Sequence, residues 1–363
     1  MRRSFPLMPL GLVALLVVLA AAASPAGGQV TRKKAMWGPI EIDGKSQFPL
    51  YEELGVGLLQ WRLDWVDVAA RRPARPRDPS DPAYTWPSEI DRAVSEGRRH
   101  GIGVSLAVMG TPPWANGGRA SRWAPRRPRD YADFLAAAAR RYPSVRHWMV
   151  WIEPTKSENF QPLAADGGRP LRGRALRGPR LYARMLDASY AALKRVNRRN
   201  KVIGGNSYTT GTVTPRSWMR ALRLPDGRRP RMDLYGHNPF TARAPARRHP
   251  VLGRGFADIY DLEVFAGWLD RYLGRRRLKI FISEFVLPTD RQNYLFNFHL
   301  SRSAQARWMR AALRITRRNP RVYTFGYLGL FDQAWRPDEL QVRWGLIDGA
   351  GIRKPAFDAF KRG

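Results

Sequence analysis

The sequence predicts an α/β fold of the (β/α)8 type, the TIM barrel, and three observations carry that expectation. Short apolar runs alternate with longer segments of helical period through eight rounds. Those rounds fill residues 27–363 as a single domain, with no short repeat or low-complexity linker to divide them. The glycine fingerprint of a doubly wound nucleotide-binding sheet is missing after the first run, which weighs against the open-sheet alternative.

Taken in order, the first strand is expected from Ala35 to Ile42, with a short helix around Tyr51 to Leu54. Val56 to Trp65 reads as the second strand, carrying Arg62 near its end, and Pro87-Ser88-Glu89-Ile90 opens a helix to about His100. The third strand, Val104 to Met109, enters the loop Gly110-Thr111-Pro112-Pro113-Trp114-Ala115, and Asp130 is positioned to cap a helix to about Arg141. Val145 to Glu153 is the fourth strand, followed by a helix from Gly178 to about Asn197. The fifth, Lys201 to Gly205, ends at Asn206-Ser207-Tyr208, and a helix follows near Pro215 to Leu224. Met232 to Gly236 is the sixth, leading into His237-Asn238-Pro239-Phe240 and a helix near Leu262 to Leu273. Leu278 to Phe285 is the seventh strand and Ser303 to Arg317 its helix; Val322 to Leu330 is the eighth, with a last helix from Pro355.

Ahead of this domain, Met1-Arg2-Arg3 leads into an apolar run from Leu10 to Ala23 and then Ser24-Pro25-Ala26, small residues where a signal peptidase would cut. The run is shorter than the roughly 20 residues that span a bilayer, so residues 1–26 read as a removable secretion signal. The expected address is secreted or cell envelope, with no stable membrane span after cleavage. Cysteine is absent, which removes disulfides, thiolate nucleophiles and cysteine-based zinc sites. The formal charge of +33 rests on 63 basic residues, nine of them lysine, spread along the whole length. No helix-turn-helix, zinc-finger or RNA-binding signature organises that charge, so a specific nucleic-acid partner is not expected. A basic surface does attract anionic polymers, acidic glycans included.

In a barrel of this kind the strand ends share one rim. Arg62, Trp114, Glu153, Asn206, His237, Glu284 and Phe331-Asp332-Gln333 all fall at such ends. Within that rim the run Trp148-Met149-Val150-Trp151-Ile152-Glu153-Pro154 ends an apolar strand in a carboxylate, which is costly unless the charge is paired or used. Ile282-Ser283-Glu284-Phe285 does the same three strands later. Two carboxylates flanking one bond are what glycoside cleavage needs, one protonated for the leaving group and one ionised for attack. That chemistry needs no metal or organic cofactor.

These two motifs resemble those of clan A glycoside hydrolases, most nearly family 39 and more distantly family 5. Trp151-Ile152-Glu153-Pro154 is similar to that clan's acid/base motif Trp-Asn-Glu-Pro, and Ser283-Glu284-Phe285 to its nucleophile motif. Thr111-Pro112-Pro113-Trp114, Tyr235 to Phe240, and Gly345-Leu346-Ile347-Asp348 with Lys354-Pro355-Ala356 extend the similarity in order along most of the domain. The resemblance implies an exported retaining glycosidase acting on a poly- or oligosaccharide, with Glu153 as acid/base and Glu284 as nucleophile. It also implies Arg62 and His237 beside the nucleophile; Trp114, Asn206 and Trp335 are the candidate sugar contacts among the aromatic and polar residues expected at the rim. Two departures stand out: Ile152 replaces the usual Asn, and His237-Asn238-Pro239-Phe240 replaces His-Pro-Tyr. They leave room for another reading, a catalytically silent barrel that binds envelope polysaccharide. The residue types also allow plainer roles: a salt bridge for Arg62, a structural ring for His237, core or rim packing for Trp114 and Trp335, and ordinary loop positions for Lys156 and Asn159.

Overall fold

The computed structural model describes residues 31–241, 253–274, 278–291, 296, 298–332 and 342–363. Residues 1–26, Gln333 and Trp335 fall outside that set. Eight parallel strands close into a barrel: β1 Thr31–Trp37, β2 Val56–Asp64, β3 Gly103–Met109, β4 His147–Val150, β5 Lys201–Tyr208, β6 Leu234–Asn238, β7 Lys279–Ile282 and β8 Val322–Leu328. β1 pairs with β2 on one side and β8 on the other, which completes the ring.

The helices that follow each strand are α1 Phe48–Glu53, α2 Ser88–Arg99, α3 Pro128–Arg141, α4 Arg177–Val196, α5 Pro215–Ala221, α6 Leu262–Trp268, α7 Arg302–Arg318 and α8 Pro355–Arg362. Proline at the first turn opens α1, α3, α5 and α8, where its missing N–H costs nothing. Asp130 is therefore not the cap of α3; it lies inside the first turn and pairs with Arg127 at 3.1 Å. Ser301 caps α7 and Thr214 caps α5 through their side-chain oxygens.

The strand alternation divides the core into two parts. Ala35, Leu58, Ala107, Met149, Ile203, Leu234 and Phe281, one from each of β1 to β7, fill the lumen, with Tyr323 of β8 packed on them. The opposite faces meet the helices in a continuous outer core. Lys34 is buried in β1 and donates to the carbonyls of Leu54, Phe360 and Lys361, capping the ends of α1 and α8.

Several strand boundaries differ from expectation for identifiable reasons. β1 stops at Trp37 because Gly38-Pro39 follows, and Glu41–Ile42 instead pairs with Lys45–Ser46 in a small hairpin. β4 ends at Val150 because Trp151 adopts φ 70°. β5 runs on to Tyr208 through a bulge in which Gly205 has φ 83° and Asn206 φ 39°. β6 extends to Asn238, which takes His237 and Asn238 into the strand.

β8 carries Gly326 where β7 passes close by, and a Cβ there would collide with the carbonyl oxygen of Ser283. Gly326→Ala is expected to destabilise the barrel by about 1–3 kcal/mol, the usual cost of overpacking. Denaturant unfolding measures it, and an unchanged midpoint would show that β7 and β8 can separate.

Candidate active site

The loop at the end of β4 builds one half of the site. Trp151 at φ 70° and Glu153 at φ 43° are in the left-handed region, which non-glycine residues enter at a cost. The turn at Trp151 inverts the strand's alternation. The indole swings outward to pack on Tyr131 and Phe160, Ile152 packs on the lumen, and Glu153 reaches the mouth. Neighbouring groups hold this distortion: Trp151 donates its indole N–H to Asn159 O, Tyr131 donates to Val108 O and Tyr182 to Val150 O.

Glu153 is buried, with 6% of its surface exposed. Its Oε1 accepts from Asn238 Nδ2 at 2.9 Å, and its Oε2 pairs with Lys156 Nζ at 3.1 Å and meets Asn159 Nδ2 at 3.4 Å. The Lys156 ammonium also sits 4.7 Å from the centre of the Tyr208 ring. Burial pulls this lysine down, and the charge and hydrogen bond of Glu153 more than restore it, leaving it above its ordinary value.

Glu284 stands just beyond β7. Its backbone N–H donates to Asn238 Oδ1 at 3.2 Å, so one carboxamide touches both glutamates. Ser283 fixes the approach to it. Gln60 donates to Ser283 O at 2.7 Å and accepts from its hydroxyl at 3.1 Å, while Trp37 Nε1 donates to the same carbonyl at 3.2 Å. Although Glu284 keeps some surface at the mouth, its carboxyl is raised to about 8. Burial is the first cause and the facing charge of Glu153 the second; Lys156 and the Asn238 hydrogen bond act in the opposite direction.

The other expected site residues fall elsewhere. Arg62 is exposed and pairs with Asp64 at 2.6 Å, so its charge is engaged in that salt bridge rather than directed at Glu284. His237 points away from the lumen, because alternation along β6 turns Asn238 inward instead. Its ring is fully buried, stacks on Phe265 at 4.0 Å, and lies against Ser207 and Ala257. Burial lowers it to about 4, against the upward pull of those two backbone contacts, so it is a neutral packing residue. Trp114 donates its indole N–H to Ala69 O, packs edge-on to Trp65, and has Arg72 4.8 Å from its ring centre. It joins two rim loops rather than offering an open face.

Asn206 lies in the lumen against Gly236, fully buried, and neither polar atom of its amide has a partner among the described residues. Asp332 is structural: its carboxylate binds the buried Lys354 ammonium at 2.6 Å and the Gly345 N–H at 2.8 Å. Gln60, Trp37 and Asn238 were the residues that sequence reasoning passed over. Gln60 left a trace as a polar residue on the lumen face of an apolar strand, two positions after Leu58. Among the described residues no group of three or more His, Asp or Glu side chains could hold a metal ion, and no helix is long and apolar enough to cross a membrane.

No protein-family model matches the chain, and no curated protein matches it in sequence. Solved structures do. A family 39 glycoside hydrolase from the gut symbiont Bacteroides cellulosilyticus superimposes with a TM-score of 0.63 at 14% identity, over 91% of this chain and 62% of that one. The fold is that of family 39 glycoside hydrolases. A glucosidase from Croceicoccus marinus gives 0.63 at 14% identity over 92% of this chain and 66% of that one. The GH39 β-xylosidase of Caulobacter crescentus gives 0.59 at 16%, over 93% and 72%. The chain thus spans somewhat less than two thirds of the first two of these structures. At such identities the likeness is one of fold.

The raised Glu284 carboxyl has a consequence for stability. The folded protein binds a proton there that the unfolded chain, with an ordinary carboxyl near 4.5, releases earlier. The contribution to stability is fully present below about 4.5 and is lost as pH rises through about 8. Thermal melts should show Glu284→Gln gaining on the native protein steadily between those values and levelling off above. A difference independent of pH would mean that Glu284 titrates normally.

Proposed function

We propose that the protein is a retaining glycoside hydrolase that cleaves O-glycosidic bonds of a poly- or oligosaccharide outside the cytoplasm. The observation that carries this reading is the pair of carboxylates at the ends of β4 and β7, joined through Asn238. In the reactive form the one proton the pair shares sits on Glu153: Glu284, as the carboxylate, attacks the anomeric carbon while Glu153 passes that proton to the departing oxygen, giving a glycosyl ester on Glu284. Glu153, now a carboxylate, takes a proton from water, which attacks the same carbon and releases the sugar with its configuration retained. Asn238 holds Glu153 from the side of β6. The signal-like residues 1–26 support export to the envelope or medium, and the net charge of +33 suits acidic glycans there.

Two experiments test the assignment. Glu153→Gln and Glu284→Gln should each lower kcat/KM on a responsive glycan by about 10²-fold or more, the usual worth of a positioned acid or base. Proton NMR of the first-formed product should show the substrate's anomeric configuration. Activity indifferent to either substitution, or an inverted product, would defeat the mechanism; glycan binding without turnover, even of activated aryl glycosides, would favour the silent barrel.

Lys156 gives a second prediction. Its charge holds the Glu284 carboxyl down, so Lys156→Met should raise that group further. The acidic limb of the kcat/KM profile then moves to higher pH, because attack needs Glu284 ionised. A limb that stays in place would show that Lys156 does not act on Glu284.

A further inference from the structure

Each helix of the barrel runs back to the end at which the strands begin, so the turns from helix to strand form one face, opposite Glu153 and Glu284. That face is strongly basic on the side of β5 and β6. The turn from α4 into β5 carries five basic residues between Lys194 and Lys201 and no carboxylate, and the neighbouring turn from α5 into β6 carries five between Arg220 and Arg231 against Asp226. Lys194, Arg228 and Arg231 pair with Asp233, Asp226 and Asp187. Arg195, Arg198, Arg199 and Lys201 are exposed, and their side chains make no ion pair among the described residues. Arg223 is held below its ordinary value, first by burial and then by the charge of Arg229. A cation in the last turn of a helix answers the helix dipole, which accounts for Lys194, Arg195 and Arg220. It does not account for Arg198, Arg199, Lys201 and Arg229, which lie past the helix ends. On the rim, carboxylates are interleaved with the cations: Arg62, Arg75, Arg77, Arg127 and Arg302 each rest on an aspartate.

A second observation says what covers this face. The strands are parallel, so β1 also starts on it, at Thr31. The apolar run from Leu10 to Ala23 therefore joins the fold there through residues 24–30, a stretch that reaches at most about 30 Å. While that run lies in a membrane, this is the face turned to the lipid. We propose that the β5–β6 side of this face docks on a bilayer containing anionic lipid, with the mouth of the barrel directed away from it. Clustered Lys and Arg are drawn to the negative potential of such a surface, and the attraction fades over a Debye length, about 10 Å at 0.1 M salt. The point at which the apolar run joins the fold favours lipid over a dissolved anionic polymer. Docking of this kind uses neither glutamate, so it stands apart from the glycosidase reading.

Sedimentation of the full chain with vesicles tests the assignment, comparing phosphatidylcholine alone with phosphatidylcholine containing phosphatidylglycerol. The native protein should prefer the anionic vesicles, and the preference should shrink as salt rises. Arg195→Glu, Arg198→Glu, Arg199→Glu and Lys201→Glu made together should lower that preference by about 10²-fold or more. All four side chains are exposed, so folding is not at stake. Four reversals at exposed rim arginines, Arg122→Glu, Arg169→Glu, Arg172→Glu and Arg174→Glu, change the net charge equally and should lower it less than about tenfold. An equal loss in both variants would overturn the proposal in favour of net charge alone. No loss in the first variant, or equal binding to neutral vesicles, would show the apolar run acting by itself and overturn it too. Hydrogen exchange on the vesicle-bound native protein gives a second reading: the turns at 194–201 and 220–231 should slow, and slowing confined to the rim loops would overturn the orientation. Both variants are also measured against double-stranded DNA and heparin. A loss there confined to the first variant, with none on vesicles, would assign the face to an anionic polymer and defeat the bilayer.

Discussion

Asn238 occupies the position on which the rest of the site depends. A carboxamide can donate to one carboxylate while accepting from the backbone beside another. Its Nδ2 holds Glu153 and its Oδ1 takes the N–H of Glu284, so the two acidic residues are registered against each other by a single rigid plane. The barrel closes around that registration. β6 lies between β5 and β7, and any shift along it would break both hydrogen bonds together.

The surrounding layers reduce the freedom of these two glutamates by different means. On the β4 side, two unfavourable backbone conformations are held by indole and phenol groups that donate to the carbonyls of β3, β4 and the following loop. On the β7 side the backbone is fixed through Ser283, gripped by Gln60 and Trp37 and pressed by the bare backbone of Gly326. Strain on one side and close packing on the other give a site whose carboxylates are placed before any ligand arrives.

Much of this was legible in the sequence, because each apolar run that ends in a polar residue marks a strand and its rim. Glu153 and Glu284 could be found that way, and so could the eight-round order. What the sequence did not reveal was direction. The faces of β6 were decided by where that strand stops, and extending it to Asn238 exchanged the expected roles of His237 and its neighbour. Arg62 and Trp114 were placed correctly near strand ends, yet their partners, Asp64 and the Ala69 carbonyl, come from local geometry that spacing does not record. The inversion at Trp151 is similar: nothing in Trp-Ile-Glu-Pro announces a left-handed residue.

His237 and Glu284 have exchanged the parts that imidazole and carboxyl usually play. Burial silences the ring, lowered to about 4, through the range where histidines commonly change charge, and the carboxyl at about 8 moves into that range. Near neutrality the cleft therefore alters its charge through a group that becomes negative on deprotonation, not one that loses a positive charge. A change in ambient acidity across that interval would tune how the mouth of the barrel greets cations and anions, with the fold's own histidine as a bystander.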